Sequence, residues 1–178
     1  MGGTVLIVMS GLPGAGKSAI ADAVGRQLPA AVLSVDPIEN AMLRSGIARE
    51  QPTGLAAYMV ADAVARHLVA LGQSVVIDAV NDVAPARDQW RAIAREHDVV
   101  MPVIEVVCSS EPTHRARLAA RVRDLPGFSE PTWDDVLRRQ AEFEPWAQER
   151  LVLDSVDDPE RNVARALAYL RSAASASP

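Results

Sequence analysis

The chain has 178 residues, a formal net charge of −5, 49% hydrophobic residues and one cysteine. This length predicts one domain with a sizeable core, and the acidic balance disfavours a global field for nucleic acid. One cysteine excludes an internal disulfide framework, no apolar run reaches the roughly 20 residues of a membrane span, and no signal-peptide pattern is present, so we expect a cytoplasmic protein without a membrane partner.

The first predicted elements are a strand, a glycine-rich loop and a helix. An apolar run covers residues 4–9, and residues 11–18 then read G-x-x-x-x-G-K-S before a helical pattern over 19–28. This order is typical of a P-loop, whose backbone N–H groups cradle phosphates. Lys17 is expected to reach the β- and γ-phosphates of ATP, and the Ser18 hydroxyl to ligate Mg²⁺. The residues expected to bind the nucleotide here are Gly11, Gly14, Ala15, Gly16, Lys17, Ser18 and Ala19.

A second short strand is predicted over residues 31–35, and Asp36 follows at its carboxyl end, before a short helix over 38–43. An acid near the γ-phosphate either takes the proton of an acceptor hydroxyl or orients that hydroxyl. A cap on the following helix is the structural alternative. Arg44, downstream of this strand, is a candidate contact to the acceptor.

The third predicted strand, residues 74–78, follows a helix over 53–71 and ends in Asp78. A carboxylate at this position is a candidate ligand of Mg²⁺ or of its water, and a helix N-cap is the alternative. Asn81 in the next turn and Arg87 on the helix over 84–97 are candidate contacts to the acceptor. Formation of the turn explains Asn81 equally well.

The remaining chain predicts a strand over 101–107, a helix over 111–123, a helix over 132–143, a strand over 150–153 and a helix from 158 to about 171. Arg117 and Arg121 are four residues apart on one helix face, which predicts an arginine pair that closes over the transferring phosphate. A solvated surface is the alternative. The histidines show no ligand spacing, and His114 is expected at the surface or at a helix end.

Strands alternate with helices throughout, which predicts an α/β fold of three layers. We expect a five-stranded parallel sheet in the order 2-3-1-4-5, helices on both faces and a short helical lid over about 111–131. Residues 1–172 form the single predicted domain, and 173–178 a frayed tail. The P-loop, Asp36 and Asp78 should converge in one cleft at the carboxyl ends of the strands.

Four segments resemble one known family. GLPGAGKS, SVDPIENAM, VVIDAVN and the arginine-rich helix after VIEVVCSSEP are together similar to small P-loop kinases of the AAA-like group. That group includes chloramphenicol phosphotransferase, polynucleotide kinase domains and gluconate-type kinases. The resemblance to chloramphenicol phosphotransferase implies that Asp36 is the base toward the acceptor hydroxyl. The resemblance to these kinases also implies that Ser155 lies in the loop near adenine.

These features together predict an ATP-dependent phosphotransferase. It would move the γ-phosphate of Mg-ATP to a hydroxyl of a small molecule such as an antibiotic, nucleoside or sugar. A polynucleotide 5′-hydroxyl kinase is an alternative, which the acidic net charge disfavours. A nucleotide-binding regulatory module without a phosphoryl acceptor is the third interpretation.

Overall fold

Strands and helices alternate along the chain in the computed structural model, which describes residues 3–48, 50–120 and 130–175. The strands are β1 (Leu6–Ser10), β2 (Ala30–Ser34), β3 (Ser74–Asp78), β4 (Val103–Val107) and β5 (Leu151–Asp154). The helices are α1 (Lys17–Gln27), α2 (Val35–Arg44), α3 (Thr53–Ala70), α4 (Ala84–Glu96), α5 (Glu111–Ala119), α6 (Trp133–Glu142) and α7 (Pro159–Ser175). No helix in these ranges is long and apolar enough to cross a bilayer.

The five strands form one sheet in the order β2-β3-β1-β4-β5, and every neighbouring pair is parallel. This result confirms the predicted fold class and strand order. Because all strands run in one direction, their carboxyl ends share one edge of the sheet. The P-loop after β1 and the segments after β2 and β3 therefore begin at that edge.

Helices pack on both faces of the sheet, so the fold has three layers. Residues of β1 are between 0% and 1% exposed, as expected of a central strand. Leu6 and Val8 pack in a core with α3, α4 and Trp146. Ile7 and Met9 point to the other face and pack in a core with α1 and α7. The central position of β1 therefore fixes the P-loop at the middle of the carboxyl edge.

Helices α2 and α7 differ from their predicted bounds in ways that bear on the site and on the predicted tail. Helix α2 begins at Val35 rather than at 38, so Asp36 lies in the first helical turn, where the helix dipole favours an acid. Helix α7 continues to Ser175, beyond residue 172, because its terminal alanines are strong helix formers and Ala174 packs against the core. Residues 121–129 lie outside the described ranges, so the lid stays a prediction.

Candidate active site

The P-loop joins β1 to α1 through a backbone that needs glycine. Gly11 has a φ of 135°, and a Cβ there would collide with the carbonyl oxygen of Val106. Its N–H donates to the carbonyl of Val80 at 3.1 Å, which ties the loop to the segment after β3. Gly16 has a φ of 102° and precedes α1 directly. This close packing fixes the loop at the positive end of α1, an arrangement that attracts phosphate.

Lys17 is the first residue of α1, and its side chain turns back across the loop. Its Nζ donates to the carbonyl of Leu12 at 3.0 Å, and the residue is 8% exposed. It is also the only lysine among the 18 lysine and arginine residues of the sequence. The ammonium group therefore lies against the phosphate-binding loop.

A cavity of about 90 Å³, which we call the Asp36 cavity, lies beside the P-loop. The P-loop and two strand ends meet there, as the sequence predicted for Ser18, Asp36 and Asp78. Glu39 and Arg139 also contribute, and sequence reasoning missed both. Among the described residues the lining consists of Pro13, Lys17, Ser18, Asp36, Glu39, Asp78, Ala79, Val80, Pro131 and Arg139.

Asp78 is held in place by its neighbour across the sheet. Ser34 pairs with Asp78 in the β2–β3 ladder, and the Ser34 hydroxyl donates to Asp78 Oδ2 at 2.9 Å. Asp78 is 7% exposed, so this hydrogen bond fixes a nearly buried carboxylate. The carboxylate lines the Asp36 cavity together with the Ser18 hydroxyl, and both supply the oxygen ligands that Mg²⁺ prefers.

On the other side of the P-loop, α5 contacts the segment after β5. Arg117 donates from Nη1 to Ser155 Oγ at 2.6 Å and from Nη2 to the Ser155 carbonyl at 2.9 Å. Ser155 in turn lies against the P-loop, since a Cβ added to Gly16 would be 3.2 Å from the Cβ of Ser155. The structure therefore brings two predicted nucleotide-binding residues, Arg117 and Ser155, to the same side of the loop. Arg121 lies outside the described residues.

Asp154 fixes the backbone on this side. Its Oδ1 accepts from the N–H of Ser109 at 3.2 Å and from the N–H of Val156 at 3.1 Å. Burial acts to raise the pKa of Asp154, but hydrogen bonds from the side chain and backbone of Ser109 and from the backbone of Val156, together with the charge of Arg117, outweigh it and hold the pKa below its usual range. The ionised carboxylate therefore clamps the loops after β4 and β5. The first loop leads into α5, which carries Arg117, and the second contains Ser155.

The sequence made Asn81 and Arg87 candidate contacts to the acceptor, but in the structure the polar groups of both side chains bind other parts of the protein. Asn81 is fully buried; its Nδ2 donates to the Met9 carbonyl at 2.7 Å, and its Oδ1 accepts from Trp90 Nε1 at 2.9 Å. Its backbone N–H donates to the Tyr58 hydroxyl at 3.3 Å, where burial raises the pKa of Tyr58 to about 12. Asn81 therefore uses its polar groups to fix the turn after β3, and its φ of 51° fits that turn.

Arg87 is 2% exposed and binds four backbone carbonyls. These acceptors are the carbonyls of Asn81, Asp82, Glu144 and Pro145. Its guanidinium carbon also lies 4.2 Å from the ring centroid of Trp146, and burial lowers its pKa. Arg87 is thus a structural bridge between the turn after β3 and the segment after α6.

Replacement of Arg87 and replacement of Arg44, the two arginines that were candidate acceptor contacts, are expected to change the stability of the protein by very different amounts. Arg87→Ala removes the donor to four backbone carbonyls, through one buried and three partly buried hydrogen bonds, and should cost about 3 kcal/mol. For a domain of this size that loss lowers Tm by about 6–12 °C. Arg44 is exposed, so Arg44→Ala should stay within about 2 °C of wild type. Thermal unfolding followed by circular dichroism checks both, and equal Tm values for the two variants would contradict the bridge.

His114 was expected at the surface or at a helix end. It lies near the start of α5, but it is buried: it is 5% exposed, and its Nε2 lies 2.7 Å from the carbonyl of Pro13. A carbonyl only accepts, so Nε2 carries the proton in this contact. The ring also packs on Gly14, where a Cβ would approach its Nε2 to 3.3 Å. His114 therefore connects α5 to the P-loop across 101 residues of sequence, which no local pattern reveals.

Removing this connection is expected to weaken nucleotide binding. His114→Ala should raise the Kd of Mg-ADP about three- to tenfold, the value of one neutral hydrogen bond that orders the loop. His114→Gln retains an amide donor and should recover most of the affinity, and the exposed His67→Ala serves as the matched control. Calorimetric titration gives the three constants. An unchanged Kd in His114→Ala would show that the contact does not order the loop.

A family model described as an AAA domain matches residues 6–146. Among solved structures, a candidate kinase from Chloroflexus aurantiacus has a TM-score of 0.76 at 19% identity, covering 97% of this chain and 99% of that chain. A sugar kinase from Janibacter has a TM-score of 0.67 at 19% identity, with 99% of both chains covered. The APS kinase of Mycobacterium tuberculosis in complex with AMPPNP and APS has a TM-score of 0.67 at 17% identity, over 96% of this chain and 98% of that chain. No curated protein matches the chain. The fold is that of P-loop kinases.

Proposed function

Because the chain belongs to the AAA domain family and has a P-loop kinase fold, we propose that it is an ATP-dependent phosphotransferase. The γ-phosphate of Mg-ATP moves to a hydroxyl group of a small molecule. One observation carries this proposal. The P-loop residues Lys17 and Ser18 line the same cavity as two carboxylates, Asp36 and Asp78. A phosphate donor and a hydroxyl acceptor can therefore meet in one place.

The donor half of the site consists of the P-loop and the wall formed by Arg117 and Ser155. The backbone N–H groups of the loop and the Lys17 ammonium bind the β- and γ-phosphates. Arg117 and Ser155 flank the loop on the side where we place the adenosine. Arg121, on the predicted lid, is proposed to join Arg117 in stabilising the transferring phosphoryl group.

Mg²⁺ fits the residues present. Ser18 and Asp78 offer a hydroxyl and a carboxylate in one cavity, and Mg²⁺ in kinases is bound by one or two such ligands together with substrate phosphates. When bound, the ion neutralises charge on the phosphates. The hydrogen bond from Ser34 orients the Asp78 carboxylate for this role.

Asp36 faces the acceptor in this proposal. It orients the hydroxyl toward the γ-phosphorus and receives its proton as the new oxygen–phosphorus bond forms. The bond between the γ-phosphorus and the bridging oxygen breaks in the same displacement, and ADP leaves.

Phosphoryl transfer from γ-³²P-labelled ATP tests the proposal. The protein is incubated with Mg²⁺ and a panel of sugars, amino sugars, nucleosides and hydroxylated antibiotics, and one arm contains a 5′-hydroxyl oligonucleotide. We expect label in a small molecule and none without Mg²⁺. Label only in the oligonucleotide would identify the polynucleotide kinase instead. Binding of Mg-ATP with no labelled product would identify a regulatory module.

A further inference from the structure

We propose that this protein forms a two-fold dimer, in which the exposed face of α3 packs antiparallel against the same face of a second copy. The dimer is independent of the proposed function, because it depends on a different part of the molecule. The structure describes α3 throughout, and seven residues of this helix are exposed, of which one is polar. These residues, which we call the outer face, are Leu55, Met59, Val60, Ala63, Val64, His67 and Ala70.

The opposite face of α3 is already covered by the protein itself. Ala57, Ala61 and Ala65 are fully buried in the core that also contains Trp146 and residues of α4. The helix is therefore apolar on its inner and on its outer face, a pattern typical of a helix that is covered on both sides.

Large apolar side chains remain in water on the outer face and directly after it. Met59 is 64% exposed, and Leu71, which follows the helix, is 61% exposed. Val60 and Val64 are 41% and 40% exposed on the turns between them. A contiguous exposed apolar patch of this kind marks a surface that binds another protein.

A row of alanines along α3 is complementary to itself. Ala56, which is half-buried, and the exposed Ala63 and Ala70 recur every seven residues, along a helix about 27 Å long. Their small side chains let a second helix approach closely. A two-fold axis at Ala63 places this residue against its own copy and Ala56 against the partner's Ala70. The row therefore meets the requirement of an isologous interface, in which one surface binds the same surface of the other copy.

The residues on the two sides of this row favour antiparallel helices. At about 100° per residue, Asp62 and Arg66 lie on one side of the row, and Val60 and Val64 lie on the other. In a parallel pair the charged side of one helix would face the valines of the other. In an antiparallel pair equal sides meet, so valines face valines, and Asp62 lies about 3 Å along the axis from the partner's Arg66.

The charges at the rim of this interface are complementary. Arg66 Nε lies 3.3 Å from Asp62 Oδ2 within the helix, and both side chains are partly exposed. The antiparallel dimer joins two such pairs, one from each copy, into a network of alternating sign. Such an arrangement fixes the register of the two helices and disfavours other partners.

The dependence of the dimer on protein concentration is the first test. A single helix pair lies at the low end of specific interfaces, below roughly 1,200 Å² in total, so we expect a Kd on the order of 1–100 µM. Sedimentation velocity from about 1 µM to about 300 µM should show a monomer that converts to a dimer, as mass action requires. Protein that stays monomeric over this range overturns the inference.

A matched pair of charge substitutions locates the interface. Ala63→Glu places two like charges at the two-fold axis and should raise the Kd of the dimer at least about tenfold. Ala168→Glu adds the same charge at an exposed alanine of α7 and should leave the Kd within about twofold. A dimer that Ala63→Glu does not weaken overturns the inference, and an unchanged Tm in Ala63→Glu separates the effect from unfolding.

Disulfide formation tests the direction of the helices, in a Cys108→Ser background that removes the single cysteine of the sequence. Under mild oxidation Ala63→Cys should crosslink to its own copy, and Ala168→Cys should not. A mixture of Ala56→Cys and Ala70→Cys should give mixed dimers, identified by mass spectrometry of the linked peptides. Each of these two variants alone should stay uncrosslinked, because the two cysteines are then about 21 Å apart along the axis.

Crosslinks of Ala56→Cys with itself and of Ala70→Cys with itself would show parallel helices and overturn the inference. The kinase proposal does not depend on this result. Phosphoryl transfer by a monomer contradicts the dimer alone, and a dimer without transfer to any acceptor contradicts the proposed function alone.

Discussion

Asp36→Asn is expected to lower kcat by a factor on the order of 10²–10⁴ and to leave the affinity for Mg-ATP within about twofold, as for a removed general base. Asparagine has nearly the shape of aspartate and keeps a hydrogen-bond acceptor for the hydroxyl, but it does not take the proton. The side chain lies in the first turn of α2 and lines the cavity beside the P-loop. The loss should therefore appear in turnover rather than in nucleotide binding.

The measurement is steady-state transfer with the best acceptor found, together with calorimetric titration of Mg-ATP. Asp22→Asn is the matched control, since Asp22 is an exposed aspartate on α1, and it should retain wild-type kcat. Wild-type turnover in Asp36→Asn would remove Asp36 from the reaction. A loss of Mg-ATP affinity equal to the loss of kcat would place Asp36 with the nucleotide instead.

Lys17→Ala is expected to reduce kcat/KM for ATP on the order of 10²–10³-fold, which is typical when one preorganised donor to a developing charge is removed. Lys17 is 8% exposed as a residue, and its ammonium donates to the Leu12 carbonyl of the loop, so its field at the phosphates is less screened by water than that of a surface cation. Arg26→Ala removes an exposed cation from the last turn of the same helix and should change kcat/KM less than twofold. An unchanged melting temperature in Lys17→Ala separates the loss from unfolding.

A second measurement on Lys17 follows from its being the only lysine in the sequence. An acyl-phosphate derivative of ATP, which acylates amines near the bound phosphates, should label Lys17. Excess Mg-ATP should prevent that labelling, and mass spectrometry of the peptides identifies the position. Labelling confined to the N-terminal amine, or labelling of Lys17 that Mg-ATP does not prevent, would mean that the phosphates do not reach this lysine.

The sequence predicts the fold well because its signals are local. Continuous apolar runs identify strands buried on both faces, and the glycine positions identify a loop whose backbone admits no side chain at Gly11. Asp78 is placed correctly for the same reason, since it ends such a run. The sequence placed the start of α2 too late, because Val35 suits a strand as well as a helix and only tertiary packing decides between them.

The errors concern residues whose partners are distant in sequence. Arg87 reads as a polar helix residue, yet its acceptors Glu144 and Pro145 lie 57 and 58 residues away. His114 lies near the start of α5, as one of the two expectations had it, but its burial and its contact with the P-loop were not predicted. Arg139, for which the sequence made no prediction, reaches the cavity beside Asp36. These contacts depend on how helices and loops that are distant in sequence pack together, and a single sequence carries no local sign of that packing.

The central claim is that nucleotide and acceptor meet in one cleft between the P-loop and Asp36. A crystal structure of the protein with Mg²⁺ and a non-hydrolysable ATP analogue tests it most directly. We predict phosphates on the N–H groups of residues 14–18, the metal on Ser18 and Asp78, adenine beside Ser155, and the γ-phosphate directed into the Asp36 cavity. A nucleotide bound elsewhere, or a γ-phosphate directed away from that cavity, would contradict the account.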